Sequence, residues 1–131
     1  MKKLLFLLLL MTIMSLSAAA QKVDVIYFHG KQRCKTCKAI EREAKTAVNA
    51  ELNNLVQSGK VRLVIVDFST GKGKEIAQKY KVSYSSLFVV TNPGKDEKAE
   101  NLTRFAFANA RNNPEVFRKA LKDKINEGLK K

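Results

Sequence analysis

Two cysteines, one histidine and two prolines are all that 131 residues hold of those types, and the scarcity excludes a good deal. Two cysteines cannot make the multi-bridge framework of a disulfide-held domain. With no second C-x-x-C and only His29 to add, a closed four-ligand zinc site would need a second chain to complete it. Internal repeats, low-complexity tracts and interdomain linkers are all missing, which leaves one small domain. No basic stretch is interleaved with aromatics, so nucleic acid is not an expected partner despite a formal charge of +13. There is no flavin or nicotinamide motif either. Thr70-Gly71-Lys72-Gly73 lacks the spacing and the Lys-Ser/Thr ending of a phosphate loop and reads as a turn. No cofactor and no metal are expected.

What the chain does have is concentrated between Val23 and Cys37. An apolar run, Val25-Ile26-Tyr27-Phe28, is followed by a polar linker, His29 to Arg33. Then come Cys34-Lys35-Thr36-Cys37, the only two cysteines, and a helical pattern from Lys38. A sulfur at the first turn of a helix sits among unpaired N–H groups at the positive end of the helix dipole. That setting favours the thiolate, the form that attacks disulfides. Two intervening residues let the sulfurs meet across one turn, so a Cys34–Cys37 disulfide can open and close with little backbone movement. As a staple the pair does little, because the loop it closes is so short that the chain-entropy gain is only about 2 kcal/mol.

Residues 1–20 read as a secretory leader: Lys2 and Lys3, an apolar run from Leu4 to Met14 broken only by Thr12, then Ala18-Ala19-Ala20 before Gln21. The run is short for a membrane span of about 20 residues, and no cysteine follows it to carry a lipid. The expected product is residues 21–131, a monomer in the periplasm or secreted, without stable membrane insertion after cleavage. Disulfides persist in that compartment.

Taken in order, Val23–Phe28 reads as a buried central strand ended by His29-Gly30. Lys38–Gln57 reads as one helix, with Ile40, Ala44, Ala47, Val48, Leu52 and Leu55 on its apolar face and Glu41, Arg42, Glu43 and Lys45 on the other. Val61–Phe68 is a second strand, parallel to the first across a right-handed crossover. A short helix is expected over Lys74–Tyr80 and a third strand over Leu87–Val90. Asn92-Pro93-Gly94 is a turn, and Leu102–Phe107 reads as a fourth strand in an antiparallel hairpin. Asn113-Pro114-Glu115 starts a terminal helix running to Leu129.

The order β-α-β-α-β-β-α, with C-x-x-C at the first strand-to-helix junction, resembles the thioredoxin fold: a four-stranded mixed sheet flanked by helices in an α/β domain. Phe28, Cys34, Cys37, Lys38 and Ile40 carry the likeness around the site, and Tyr80-Lys81-Val82 carries it before the third strand. More narrowly, Tyr27-Phe28-His29-Gly30, Arg33-Cys34 and Ala39-Ile40-Glu41 resemble small exported bacterial proteins of the ArsF family, labelled nitrophenyl compound nitroreductase subunit. The chain departs from the thioredoxin pattern in several places. Arg33 stands where a tryptophan is usual, and the linker from Phe28 to Cys34 is one residue longer. The buried aspartate of the first strand has no match, because Ile26 and Tyr27 occupy that region. Ser86 stands where the family has its cis-proline. A cis bond before a non-proline residue costs about 2.5–4 kcal/mol, so a trans peptide or a reshaped loop is expected. The resemblance implies that Ser83–Ser86 faces the cysteines, with Ser85 and Ser86 in a substrate-contacting loop.

The chemistry expected is thiol–disulfide exchange with a partner protein. Cys34 is the exposed nucleophile and Cys37 the resolver. Lys31, Arg33, Lys35 and Lys38 add positive charge that favours the Cys34 thiolate, which predicts a pair more oxidising than cytosolic thioredoxin. His29 and Glu41 are candidate proton partners, with Lys35 as auxiliary. Three rival readings stay open: an inert structural disulfide, a thiolate metal site, and a non-catalytic relay or docking subunit of a larger system.

Overall fold

The computed structural model describes residues 21–130. The leader read at residues 1–20 lies outside the described residues. Strand β1 (Val23–His29) is the centre of the molecule. Every residue from Val23 to Phe28 is buried, and a strand sealed on both faces needs a nearly continuous apolar run to be stable there. The one polar member, Asp24, is held by Arg62, its register partner on the neighbouring strand. Arg62 donates from Nε at 3.2 Å and from its terminal nitrogen at 2.6 Å.

A helix follows β1 at Lys35–Lys45 (α1), then a π-helical stretch at Thr46–Glu51, then a short helix at Asn53–Gln57 (α2). The single helix expected over Lys38–Gln57 is therefore corrected: it starts three residues earlier and loosens to π geometry midway. The extra residue in each π turn rotates the helix face, and Ala47 and Val48 stay buried while Leu52 and Leu55 still pack on the core. A second correction concerns Glu43, placed by periodicity on the solvent face. It is buried, because Arg118 of the terminal helix closes over it and Arg42 flanks it. Taking one partner from such a pair would leave an uncompensated buried charge.

β2 (Val61–Asp67) runs parallel to β1. α3 (Gly71–Lys79) begins where the loop was expected, three residues before the predicted Lys74. The Thr70 hydroxyl caps it, accepting from the Gly73 amide at 3.0 Å. Gly73 has to be glycine, since a Cβ there would lie 1.8 Å from the Asp67 carbonyl oxygen. β3 (Ser86–Thr91) pairs antiparallel with β1, and β4 (Lys98–Asn101) pairs antiparallel with β3.

The hairpin was expected, but its second strand is not at Leu102–Phe107. That segment enters a helix, α4 (Thr103–Asn109), ahead of the terminal α5 (Pro114–Leu129). The Asn101 side-chain oxygen accepts from the Thr103 amide at 2.9 Å, which turns the chain out of the sheet. The true β4, Lys-Ala-Glu-Asn, is exposed throughout, as suits a charged edge strand.

The sheet order is β2-β1-β3-β4. One face carries Val23, Val25 and Tyr27 against α1, the π stretch, α4 and α5. The other carries Ile26, Phe28, Phe88 and Val90 against α3, with Phe28, Tyr80 and Phe88 in mutual ring contact. One parallel and two antiparallel pairings in this order, with helices on both faces, are the thioredoxin-like arrangement. Among the described residues no helix is long and apolar enough to cross a membrane.

Candidate functional site

The cysteine pair sits where β1 hands over to α1. Cys34 is the N-cap residue of α1, in extended backbone with φ −67° and ψ 163°. Its sulfur does what a capping oxygen usually does, accepting the Cys37 amide at 3.0 Å. The two cysteines form a disulfide with Cα atoms 4.9 Å apart. Cys34 is exposed, whereas Cys37 is only 6 % exposed. One turn of helix therefore points one sulfur at solvent and the other at the core. The expected junction is in place, and so is the expected division between the two sulfurs.

Beneath the pair lies a residue that sequence reasoning passed over. Tyr27 is fully buried, and its hydroxyl donates to the Cys37 carbonyl oxygen at 2.8 Å. Burial pushes its phenol above the ordinary value, against the lowering influence of the Ser85 hydroxyl and the Arg33 guanidinium beside it. The alternation of β1 put Tyr27 on the helix-covered face. Nothing in the sequence said that its hydroxyl would meet the first turn of α1.

Arg33 and Glu41 were expected in different roles and are found together. A terminal guanidinium nitrogen of Arg33 donates to Glu41 Oε2, and Lys45 Nζ lies 3.7 Å from Oε1. Glu41 is thus an ion-pair member, its side chain 15 % exposed. Burial alone would raise its carboxyl. The hydrogen bond and charge of Arg33, with Lys45 and His29 nearby, outweigh that and hold it below the usual range. The expectation that Arg33 adds bare positive charge beside Cys34 is corrected, because Glu41 neutralises it. Arg33 Nε is buried without a hydrogen-bond partner. Lys31, Lys35 and Lys38 remain exposed around Cys34 and form no ion pair among the described residues.

His29 ends β1 and stacks on Tyr27 at 6.1 Å between ring centroids. Its Nδ1 lies 3.0 Å from the Gly30 carbonyl oxygen, so in the tautomer with Nδ1–H it donates there. Ser86 opens β3 opposite Phe28 and is buried, and its hydroxyl donates to the Tyr84 carbonyl at 2.7 Å. Peptide bonds among the described residues are all trans. Ser85 lies half-buried beside the Tyr27 hydroxyl, so this loop does reach the floor of the cysteine site. No group of three or more His, Cys, Asp or Glu side chains gathers to hold a metal among the described residues.

No family model matches the sequence, and no curated protein matches it. Among solved structures, a malarial protein is similar at 19 % identity and a TM-score of 0.43, over 66 % of this chain and 93 % of the other. A thioredoxin from Thermus thermophilus, solved in solution, is similar at 18 % identity and a TM-score of 0.46, over 82 % of this chain and 76 % of that one. By its own strand order and the position of its cysteine pair, the chain has a thioredoxin-like fold.

Proposed function

We propose that the protein is an exported thiol–disulfide oxidoreductase working through Cys34 and Cys37 on a partner protein. The observation that carries this reading is the unequal placement of the two sulfurs, one exposed at a helix N-cap and one buried a turn below. In the reducing direction, the Cys34 thiolate attacks one sulfur of a partner disulfide and expels the other as a thiolate. Cys37, losing its proton, then attacks Cys34 and releases the second partner thiol. The partner gains two electrons and the protein ends as the Cys34–Cys37 disulfide. In the oxidising direction the same steps run backwards.

Residues 1–20 are read as the leader that delivers the chain to the periplasm or exterior. The likeness to proteins labelled nitrophenyl compound nitroreductase subunit remains a resemblance of Tyr27–Gly30, Arg33-Cys34 and Ala39–Glu41, and no step above draws on it.

A second reading is a relay or docking subunit serving one dedicated partner. The formal charge of +13 favours it, as does the serine at position 86 where the resembled fold has its cis-proline, with every peptide bond among the described residues trans. Reduction of insulin separates the two, since a dedicated relay is slow there. The test of the exchange mechanism is trapping. Cys37→Ser should accumulate mixed disulfides on Cys34 in an exported fraction, and Cys34→Ser should accumulate none. Equal capture by both variants, or by neither, would remove the mechanism.

A further inference from the structure

We infer that the groove beside α4 is the docking site for the cysteine-bearing segment of the partner, and that it selects an aromatic or aliphatic side chain next to a carboxylate. This rests on the exchange reading above and adds what the partner must look like. The groove, about 660 Å³, is lined by Tyr84, Asn101, Thr103, Arg104 and Phe107. Large exposed hydrophobics are few among the described residues, and two of them meet here: Tyr84 is 62 % exposed and Phe107 38 %.

Position ties the groove to the disulfide. The Leu87 amide donates to the Thr103 hydroxyl at 3.0 Å, and the Leu102 amide donates to the Leu87 carbonyl at 2.8 Å. These bonds clamp the start of α4 to the start of β3. At that point Leu87 and Ser86 pair with Tyr27 and Phe28 of β1, and the Ser85 hydroxyl lies beside Tyr27, which holds Cys37. The Tyr84–Ser86 loop is thus shared between the floor of the cysteine site and the wall of the groove. α4 itself stands outside the β-α-β-α-β-β-α order. It buries Thr103 and Ala106 and turns Phe107 and Arg104 outward.

Charge decides the kind of occupant. Arg104 is exposed and forms no ion pair among the described residues, and no acidic residue lines the groove. Around Cys34, Lys31, Lys35 and Lys38 are likewise exposed, and the nearby carboxylate of Glu41 is already paired with Arg33. A segment that covers the two rings gains by removing apolar surface from water. If it also brings a carboxylate to Arg104, it gains a charge-assisted contact, and a lysine there would be repelled.

The test compares two probes that share one leaving group. The first is mercaptoethanol disulfide-bonded to 2-thiopyridine. The second is a short peptide whose cysteine carries the same group and is followed by Phe-Glu. Reduced protein attacks each and releases 2-thiopyridine, and the ratio of the two rate constants is the readout. Phe107→Ala should lower the peptide-to-small-probe ratio about tenfold. Arg104→Gln should erase the preference for the Phe-Glu peptide over Phe-Gln and Phe-Lys versions. A ratio indifferent to both substitutions and to peptide sequence would overturn the proposal. So would a dimer that Phe107→Ala dissociates, since the groove would then belong to a second copy. If the protein reacts with neither probe, it is the exchange reading that fails.

Discussion

Cys34 and Cys37 share one bond yet belong to different regions of the molecule, a rim and a floor. The rim is exposed and charged. Cys34 caps the helix there among Lys31, Lys35 and Lys38, with Arg33 turned aside onto Glu41. The floor is dry. Cys37 is followed by Ala39 and Ile40 in the core, and Tyr27 grips its carbonyl from below. The contrast shows how little is needed to give two identical side chains different surroundings. Cys34 caps the first turn from its exposed end, while Cys37, inside that turn, packs against the core. Electrostatics acts at the rim and packing acts at the floor, so substitutions in the two regions should leave different signatures.

The largest effect tests the contrast directly. In the reduced protein, iodoacetamide should modify Cys34 on the order of 100-fold faster than Cys37, because exposure and thiolate character both favour the outer sulfur. Mass spectrometry of the alkylated peptides reads this, and equal rates would abolish the distinction between rim and floor. Next in size is the floor itself. Tyr27→Ala should cost about 3–5 kcal/mol of stability, the range for emptying a buried aromatic site. Tyr27→Phe keeps the ring and loses only the bond to the Cys37 carbonyl, so about 1 kcal/mol is expected. Denaturant titration separates the two, and a Tyr27→Phe loss as large as that of alanine would mean the hydroxyl does more than hold the helix start.

The rim was legible in the sequence and much of the floor was not. C-x-x-C after an apolar strand is local information, since the spacing alone places both sulfurs on one helical turn. β1 was legible for a similar reason, a run apolar enough for a strand buried on both faces. The role of Tyr27 depends on where α1 begins and how close it passes to the sheet, and neither is written in the residues around it. Glu43 looked solvated because its cover, Arg118, comes from the far end of the chain. The fourth strand was misplaced because Leu102–Phe107 alternates like a strand, while the true one, Lys98–Asn101, is a polar edge with no hydrophobic signal. At the boundary the Asn101 side chain turns back on Thr103, and the segment beyond it packs Leu102, Phe105 and Ala106 on the core as a helix.

The smallest effect sharpens the rim. Glu41 neutralises Arg33 directly beside Cys34, so Glu41→Gln frees a guanidinium charge without altering the size of the side chain. The pH midpoint for alkylation of Cys34 should then fall. A partly exposed ion pair is worth up to about 1 kcal/mol, so the fall should be no more than roughly 0.7 of a pH unit. The double variant Arg33→Gln/Glu41→Gln should return the midpoint toward wild type, which a merely structural role for Glu41 would not do. Stability carries the same information in acid. The Glu41 carboxyl is held below its usual value in the folded chain, so its contribution is complete above the unfolded value of about 4.5. It fades as pH falls through the lower, folded value. Denaturation midpoints taken downward from pH 5 should therefore drop less steeply for Glu41→Gln than for wild type. Parallel curves would mean that the Arg33 pair does not persist in solution, and that the rim carries the bare positive charge the sequence first suggested.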